Sequence, residues 1–172
     1  MPMVPFETLP DASRLWVFGV ERPLDERERQ SFLDAVDQFL ATWAAHGVPL
    51  TCGRDWRRER FLLVAVDQAS EPPSGCSIDA MVGVLKDLER RLRVRVLDNT
   101  PVWFLADGQV RRTSRPEFRR LAEEGVVDPD TVVFDNTVTH LTDVRQGRWD
   151  GPARESWHQK AFFKNTEASR PA

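Results

Sequence analysis

The sequence Ser74-Gly75-Cys76-Ser77-Ile78-Asp79-Ala80 opens the segment around which the rest of the chain is organised. A Ser-Gly turn leads into a cysteine, and the next residue, Ser77, is of a type favoured at a helix N-cap. Apolar residues then recur every three or four positions, which is the spacing of one buried helix face. They are Ile78, Met81, Val82, Leu85, Leu88 and Leu92. The pattern predicts a helix that begins after Cys76 and runs to about Leu92, with Asp79 in its first turn.

Two stretches before this helix are apolar at both alternating positions, which predicts strands that are buried on both faces. They are residues 14–20 and residues 60–66. Between them, residues 25–43 repeat apolar side chains at helical spacing, and Asp25 and Glu28 have the spacing of a capping box. We therefore expect a strand, a helix and a second central strand, with the His-Gly pair at 46–47 closing the helix.

The remaining elements complete a known supersecondary order. Residues 48–56 predict a further strand, and residues 102–105 and 109–112 flank an Asp-Gly turn of the hairpin type,. The order β-α-β-β-α-β is the split βαβ order of a ferredoxin-like α+β fold, with an antiparallel sheet and two helices on one face. Because monomers rarely expose a large apolar sheet face, we expect a C-terminal α/β extension to cover the other face. A homodimer face is the alternative cover.

The domain organisation is predicted to be simple. We expect one domain over residues 1–172, with its core at about 14–113 and the extension at about 114–172. The extension is predicted to hold a short helix at about 115–124 and a strand at 131–134. No internal repeat or linker-like stretch divides the sequence.

The composition is that of a globular protein, since 41% of the residues are hydrophobic and 30% are charged,. The longest apolar runs are too short to span a bilayer, and the start of the chain lacks the pattern of a signal peptide. The two cysteines, Cys52 and Cys76, do not make a disulfide framework, so we expect a reduced, cytoplasmic protein without a membrane partner. The net charge of -3 disfavours a general nucleic-acid binder, because such proteins neutralise many phosphates,.

Metal and nucleotide motifs are missing from the sequence. The three histidines and two cysteines do not have the CxxC, HxxxH or HxH spacing of metal ligands,. The sequence also lacks GxxxxGKS, GxxxxGKT and a GxGxxG pattern after a predicted strand, which argues against a P-loop and against a Rossmann site. We therefore expect neither a metal nor a cofactor.

Cys76 is the first candidate for chemistry. A thiol near a helix start experiences the positive end of the helix dipole, which lowers its pKa and favours the reactive thiolate. With His140 or His158 as its base, Cys76 would be a catalytic nucleophile or a redox sensor. The alternative is a structural cysteine in a tight turn, and Asp79 would oppose a thiolate there.

The same stretch is also a candidate anion site, because backbone N–H groups at a helix start can bind phosphate or carboxylate. The candidate ligand-binding residues are Ser74, Gly75, Ser77, Asp79, Asn136 and Trp157. Several alternatives remain open. The Ser77 side chain would already accept hydrogen bonds from the N–H groups at the helix start, and the charge of Asp79 would repel an anion. Asn136 also suits an Asx-type turn. Trp157 would anchor the C-terminal segment, with His158 at the surface.

RNA binding is a third alternative, because ferredoxin-like sheets stack bases on aromatic residues of their central strands. Trp16 and Phe18 fit that description. However, residues 61–66 lack the Arg/Lys-Gly-Phe start of the RNA-binding signature, and acids such as Asp55 and Glu59 dilute the arginine clusters. Nucleic acid is therefore a disfavoured partner.

Five parts of the chain together resemble a family of small uncharacterised bacterial proteins. They are Pro5-Phe6-Glu7 with Ser13-Arg14-Leu15-Trp16, Trp43-Ala44-Ala45-His46-Gly47, Ser74-Gly75-Cys76-Ser77-Ile78-Asp79, Thr131-Val132-Val133-Phe134-Asp135-Asn136 and Ser156-Trp157-His158. The Ser-Gly-Cys-Ser-Ile-Asp segment is the most specific of them. Members are sometimes labelled "ABC transporter ATPase", which this sequence does not support, because it lacks a Walker A motif. The resemblance implies no catalytic residues, but it directs attention to Cys76, Asp79, Asn136 and His158.

The leading hypothesis is a non-catalytic cytoplasmic binding or interaction protein. It would hold a small anionic ligand, or a second copy of itself, near the helix start at Cys76. A thiol enzyme or redox sensor that uses Cys76 is the alternative from a different class, and RNA binding is the third.

Overall fold

The chain is divided between two units, each built around an antiparallel sheet. The structure is a computed structural model that describes residues 3–163. The first unit comprises Met1–Asp98 and Thr137–Thr142, and the second comprises Asn99–Asn136 and Asp143–Ala172. The predicted α+β class is confirmed. The first unit extends to Asp98, and a short later segment also belongs to it, whereas the single-domain organisation stays a prediction.

The first unit contains the element order that the sequence predicts up to the second helix. Its elements are a 3-10 helix Phe6–Thr8, β1 Arg14–Gly19, α1 Glu26–Ala41, β2 Ala44–Ala45, β3 Val48–Pro49, β4 Cys52–Arg57, β5 Phe61–Val66 and α2 Gly75–Leu92. The predicted capping box of α1 is present, with Glu28 N–H donating to Asp25 and Asp25 N–H donating to Glu28.

The end of α1 differs from the expectation. The helix stops at Ala41, and Thr42 is its C-cap. His46 and Gly47 both have positive φ and form the turn of a small hairpin between β2 and β3. Two successive residues with positive φ are what a two-residue hairpin turn requires. The predicted single strand over 48–56 is therefore split into β3 and β4.

The first sheet has the order β1-β5-β4, and all of its pairs are antiparallel. All six residues of β5 are buried, as expected of a central strand. At one edge Met3 bridges to Cys52, and at the other His140 bridges to Arg14. The Leu15 N–H donates to the Thr139 carbonyl at 2.8 Å, which fixes the returning segment against β1.

The predicted fourth strand of the ferredoxin-like sheet does not join β1. Val102–Ala106 pairs antiparallel with Gln109–Thr113 on one edge and with Val133 on the other. Both of its edges are therefore used within the second unit. The tight turn at Asp107-Gly108, where both residues have positive φ, closes the first of these pairings locally,. The place beside β1 is taken by the His140 bridge.

Helices α1 and α2 pack on one face of the first sheet. The core between them contains Phe18, Phe32, Val36, Leu40, Leu62, Val64, Met81, Leu85 and Leu88. Cys52 belongs to this core, and its Sγ donates to the Leu40 carbonyl at 3.5 Å. Burial raises the pKa of Cys52 to about 12, so this thiol stays protonated at neutral pH,.

The opposite face of the sheet carries a close backbone approach at Gly53. A Cβ atom at this position would lie 2.6 Å from the Val4 carbonyl oxygen and 3.3 Å from the Phe6 Cα. Both neighbours are backbone atoms, so they cannot move aside as a flexible side chain would. A glycine is therefore required where the N-terminal segment crosses β4.

We expect the Gly53→Ala variant to lose about 1–3 kcal/mol of unfolding free energy, because the added methyl overpacks a rigid contact. The matched control is Gly83→Ala in the middle of α2, where nothing lies within 4 Å of the added carbon. That change should stabilise the protein by up to about 1 kcal/mol through helix propensity. Urea unfolding of both variants checks this, and a Gly53→Ala protein as stable as wild type would contradict the close approach.

The rest of the described chain forms the second sheet and its helix. The elements are β6 Val102–Ala106, β7 Gln109–Thr113, α3 Arg115–Glu123, β8 Val132–Phe134, α4 Leu141–Arg145, β9 Asp150–Pro152, a 3-10 helix Ala153–Glu155 and a π-helical turn Gln159–Phe163. The sheet order is β7-β6-β8-β9. The predicted helix and strand of the extension are thus confirmed as α3 and β8. The expected cover of the first sheet by this part of the chain stays a prediction.

The core of the second unit is built around Phe118 of α3. Its other members are Val102, Phe104, Val127, Val133, Ala153 and Phe163. Over residues 3–163, the structure contains no helix that is both long enough and apolar enough to cross a bilayer.

Candidate functional site

The start of α2 is capped one turn earlier than the sequence suggested. Ser74, not Ser77, is the N-cap residue, and Gly75 is the first residue of the helix. The Ser77 N–H donates to Ser74 Oγ at 3.1 Å, and the Ser74 N–H donates to Ser77 Oγ at 2.8 Å. This is a capping box in which a serine takes the place of the usual glutamate. Cys76 therefore lies inside the first turn, not before it.

Two of the predicted ligand residues serve the helix itself. The side chains of Ser74 and Ser77 are engaged with each other's backbone. Ser77 is only 3% exposed, and its carbonyl accepts a hydrogen bond of 2.8 Å from Trp43 Nε1. The hydroxyl groups of this serine pair are therefore structural, and they hold the first turn of α2 in place.

The N–H groups of Gly75 and Cys76 are the first two donors of this helix. Both residues are exposed. The next two N–H groups are used, since Ser77 donates to Ser74 Oγ and Ile78 donates to the Ser74 carbonyl. Within the described part of the chain, Gly75 and Cys76 thus supply the first-turn donors that remain for solvent or a ligand.

The electrostatics of this helix start differ from those of α1 and α3. The first turns of those helices carry Glu26, Glu28 and Glu117, whereas the first turn of α2 has no acidic residue. Asp79 was expected in the first turn, but it is the fifth residue of the helix. The dipole of α2 is therefore not compensated by a first-turn carboxylate.

A series of contacts brings a cation to the same end of the first sheet. The Trp43 ring, bonded to Ser77, lies 5.9 Å from the Trp16 ring. The Arg14 guanidinium lies 4.8 Å from the centre of the Trp16 ring. Arg14 also pairs in register with Val66, the last residue of the strand that precedes α2.

Arg14 is a functional candidate that the sequence interpretation missed. Its Nη1 donates to the Leu15 and Thr139 carbonyls, both at 3.2 Å. Among residues 3–163 no carboxylate forms an ion pair with it. The one sequence signal is its position two residues before Trp16, on the same strand face.

The two cysteines have opposite environments. Cys52 is buried and Cys76 is exposed, and both thiols are free. His140, one of the two candidate bases, belongs to the same unit as Cys76. It is exposed, and its Nδ1 lies 3.0 Å from Thr139 Oγ1.

The predicted site residues Asn136 and Trp157 lie in the second unit and make internal hydrogen bonds. Trp149 Nε1 donates to Asn136 Oδ1 at 3.0 Å, and Trp157 Nε1 donates to Asp135 Oδ1 at 3.2 Å. The turn after β8 therefore holds two tryptophans. This arrangement favours the anchoring role for Trp157 over a role in ligand binding.

His158 is buried, which corrects the expectation that it lies at the surface. It is 1% exposed and stacks on the Trp157 ring at 3.9 Å. Its Nδ1 lies 2.7 Å from Ser156 Oγ. Burial lowers the pKa of His158 to about 4; the charge of Asp135 raises it, and that of Arg115 lowers it further. An imidazole with this pKa is a weak general base at neutral pH.

Trp16 and Phe18, the two aromatic residues named for RNA binding, lie on the helix-covered face of the first sheet. Phe18 belongs to the core beneath α1 and α2, and Trp16 packs against it while contacting the Trp43 ring. Phe18 is therefore buried, and Trp16 is half-buried on the face of the sheet that packs against the helices. Among residues 3–163, no three His, Cys, Asp or Glu side chains are grouped so that they could hold a metal ion.

The predicted site residues are thus divided between the units. Those near Cys76 belong to the first unit, and Asn136, Trp157 and His158 belong to the second. Comparisons with family models, with curated proteins and with solved structures find no match for this chain. The resemblance to the small bacterial family stays a prediction.

Proposed function

We propose that the protein is a non-catalytic binding protein that holds a small anion at the start of α2. The observation that carries this proposal is the first turn of that helix, where the exposed residues Gly75 and Cys76 supply N–H donors without a first-turn carboxylate. Arg14, at the same end of the sheet, supplies a positive charge that no carboxylate of the described chain neutralises. Backbone donors, a helix dipole and a guanidinium together favour a phosphate or carboxylate.

A small anion is a better-supported partner than a second copy of the chain. The large hydrophobic side chains that are exposed among residues 3–163 are Val48 and Val126. Stable homodimers usually bury a contiguous apolar patch, and two isolated valines do not supply one. We place the protein in the cytoplasm, because its two free thiols suit a reducing compartment,.

Anion binding should raise the thermal stability of the protein by mass action. At a concentration ten times the dissociation constant, phosphate should add about 1.4 kcal/mol, which corresponds to a rise of several degrees. The Arg14→Gln variant should lose most of this rise. Arg27→Gln is the control, because Arg27 is an exposed arginine of α1 and its removal changes the net charge equally.

Native mass spectrometry of freshly prepared protein provides the complementary test. We expect an additional mass that corresponds to a small anion on the monomer. A clean monomer that phosphate, sulfate and carboxylates all fail to stabilise would contradict the proposal, as would an equal stabilisation of the Arg14→Gln and wild-type proteins.

A thiol enzyme or redox sensor is the second candidate, and the exposure of Cys76 within a helix first turn favours it. Its signature is an alkylation rate that titrates well below the ordinary thiol pKa of about 8.5. Because the Cys52 thiol is buried and protonated, the rate in the wild-type chain reports on Cys76 alone. An alkylation rate that follows the ordinary thiol pKa would argue against the thiol enzyme and favour the binding function.

A further inference from the structure

Two arginines of α3 lie over aromatic rings of the C-terminal segment. Arg115 and Arg119 are four residues apart, so their side chains leave the same face of the helix,. The Arg115 Cζ lies 4.9 Å from the centre of the Trp157 ring, and the Arg119 Cζ lies 5.4 Å from the centre of the Phe162 ring. Each guanidinium group is therefore within the range of a cation–π contact with its ring.

The two guanidinium groups lie over neighbouring aromatic rings. The Trp157 and Phe162 ring centres are 6.1 Å apart. Because both arginines come from one helix, their groups approach these rings from the same side and about one helical turn apart. Phosphate is an anion that two neighbouring guanidinium groups can contact together, through N–H···O bonds of about 2.8 Å.

The charges of Arg115 and Arg119 are not neutralised by carboxylates in the described chain. Arg119 Nη1 donates to the Ala161 carbonyl at 3.3 Å. Arg120, by contrast, forms ion pairs with Glu117 and Glu124 on the same helix. The two stacked arginines are both exposed, so their free donors are accessible to a ligand.

Two acids lie near this pair and oppose an anion there. Asp135 accepts a hydrogen bond from Trp157 Nε1 at the edge of the ring, whereas Arg115 covers the ring face. Glu123 follows Arg119 by one further turn of α3, on the side away from Arg115. A dianion that both guanidinium groups contact gains more than these two acids take away, since charge-assisted bidentate bonds are the strong ones.

We propose that Arg115 and Arg119 form a second anion site, which binds the phosphate dianion, either free or as a phosphate monoester. The stacked rings hold both guanidinium groups in place before the ligand arrives, which lowers the entropy cost of binding. This site belongs to the second unit and does not depend on the site proposed at the start of α2.

The test is a titration of the full chain with inorganic phosphate and, separately, with phosphoserine, followed by the NMR signals of the arginine Nε–H groups. We expect the Arg115 and Arg119 signals to shift with a common dissociation constant. Arg115→Gln and Arg119→Gln should each weaken binding by about 10-fold or more, since each removes charge-assisted hydrogen bonds. Glu123→Gln should tighten it.

Arg120→Gln is the control, because it removes the same charge from the same helix. It should weaken the affinity at the stacked pair far less than the other two variants, through long-range charge alone. Equal losses in all three arginine variants would show general electrostatic attraction and overturn the proposal, as would the absence of shifts with either ligand. Tighter binding of phosphoserine would identify a phosphate monoester as the ligand, and tighter binding of inorganic phosphate would identify the free ion. Arg14→Gln should change the response of Cys76 but not these shifts, so the two proposals fail separately.

Discussion

Replacing Phe118 with alanine should destabilise the second unit by about 3–5 kcal/mol, the largest effect expected of any single change considered. Phe118 is fully buried, and its ring contacts those of Phe104, Phe162 and Phe163 edge to face. Truncation removes this ring and leaves a cavity that three aromatic neighbours cannot fill by small movements.

Hydrogen exchange and urea unfolding measure this loss, and the exchange should increase at amides of α3 and β6. The control is Val126→Ala in the same unit, because Val126 is 66% exposed and its truncation should cost less than about 0.5 kcal/mol,. Equal stability of the two variants would mean that Phe118 is not the centre of the second core.

Acidification should destabilise the protein through His158. In the unfolded chain this imidazole titrates near 6.5, whereas burial lowers its pKa in the folded protein to about 4. Between pH 6.5 and pH 4 the imidazole is protonated in the unfolded chain but neutral in the folded protein, so acid favours unfolding,. The contribution of His158 to the unfolding free energy is therefore complete above pH 6.5 and is lost as the pH falls towards 4. We expect a loss of about 2–3 kcal/mol between pH 7 and pH 4.5 from this group.

The variant His158→Gln isolates this contribution, because glutamine does not titrate and can still hydrogen-bond to Ser156. Its stability at neutral pH is expected to be lower than that of wild type, but the difference between the two proteins should shrink as the pH falls to 4.5. The measurement is the unfolding free energy of both proteins across this pH range. Parallel curves for wild type and variant would show that His158 does not cause the acid sensitivity.

Local patterns in the sequence predicted the first unit well. The unbroken apolar run at β5 predicts a central strand because only a strand covered on both faces tolerates it, and the structure buries all six residues,. The sequence pattern predicts a start of α2 that is three residues too late, because two serines, Ser74 and Ser77, can each act as an N-cap. Only the backbone geometry shows which one does.

The partner of β6 could not be predicted from local pattern. Its apolar sequence suits a strand in either sheet, and the choice was decided by the hairpin with β7 and by pairing with β8, which is distant in sequence. Such tertiary choices are not encoded in the periodicity of one segment.

Some residues of the candidate site likewise could not be predicted, because contacts between residues far apart in the sequence bring them together. Cys76 and Gly75 were identified from sequence, because a helix start carries its own donors. Arg14 was not, since it is linked to that helix start only through the contacts of Trp16 and Trp43, which come from different elements. The burial of His158 likewise results from Phe118 and Phe162 packing around it.

The central claim, an anion at the start of α2, is tested most directly by the alkylation rate of Cys76 with iodoacetamide at increasing phosphate and constant ionic strength. The Cys76 N–H is one of the two first-turn donors of the proposed site, so an anion bound there would lie close to the Cys76 thiol. We expect the rate in wild type to fall several-fold and to saturate, and the rate in Arg14→Gln to fall much less. A rate that phosphate leaves unchanged would contradict the account.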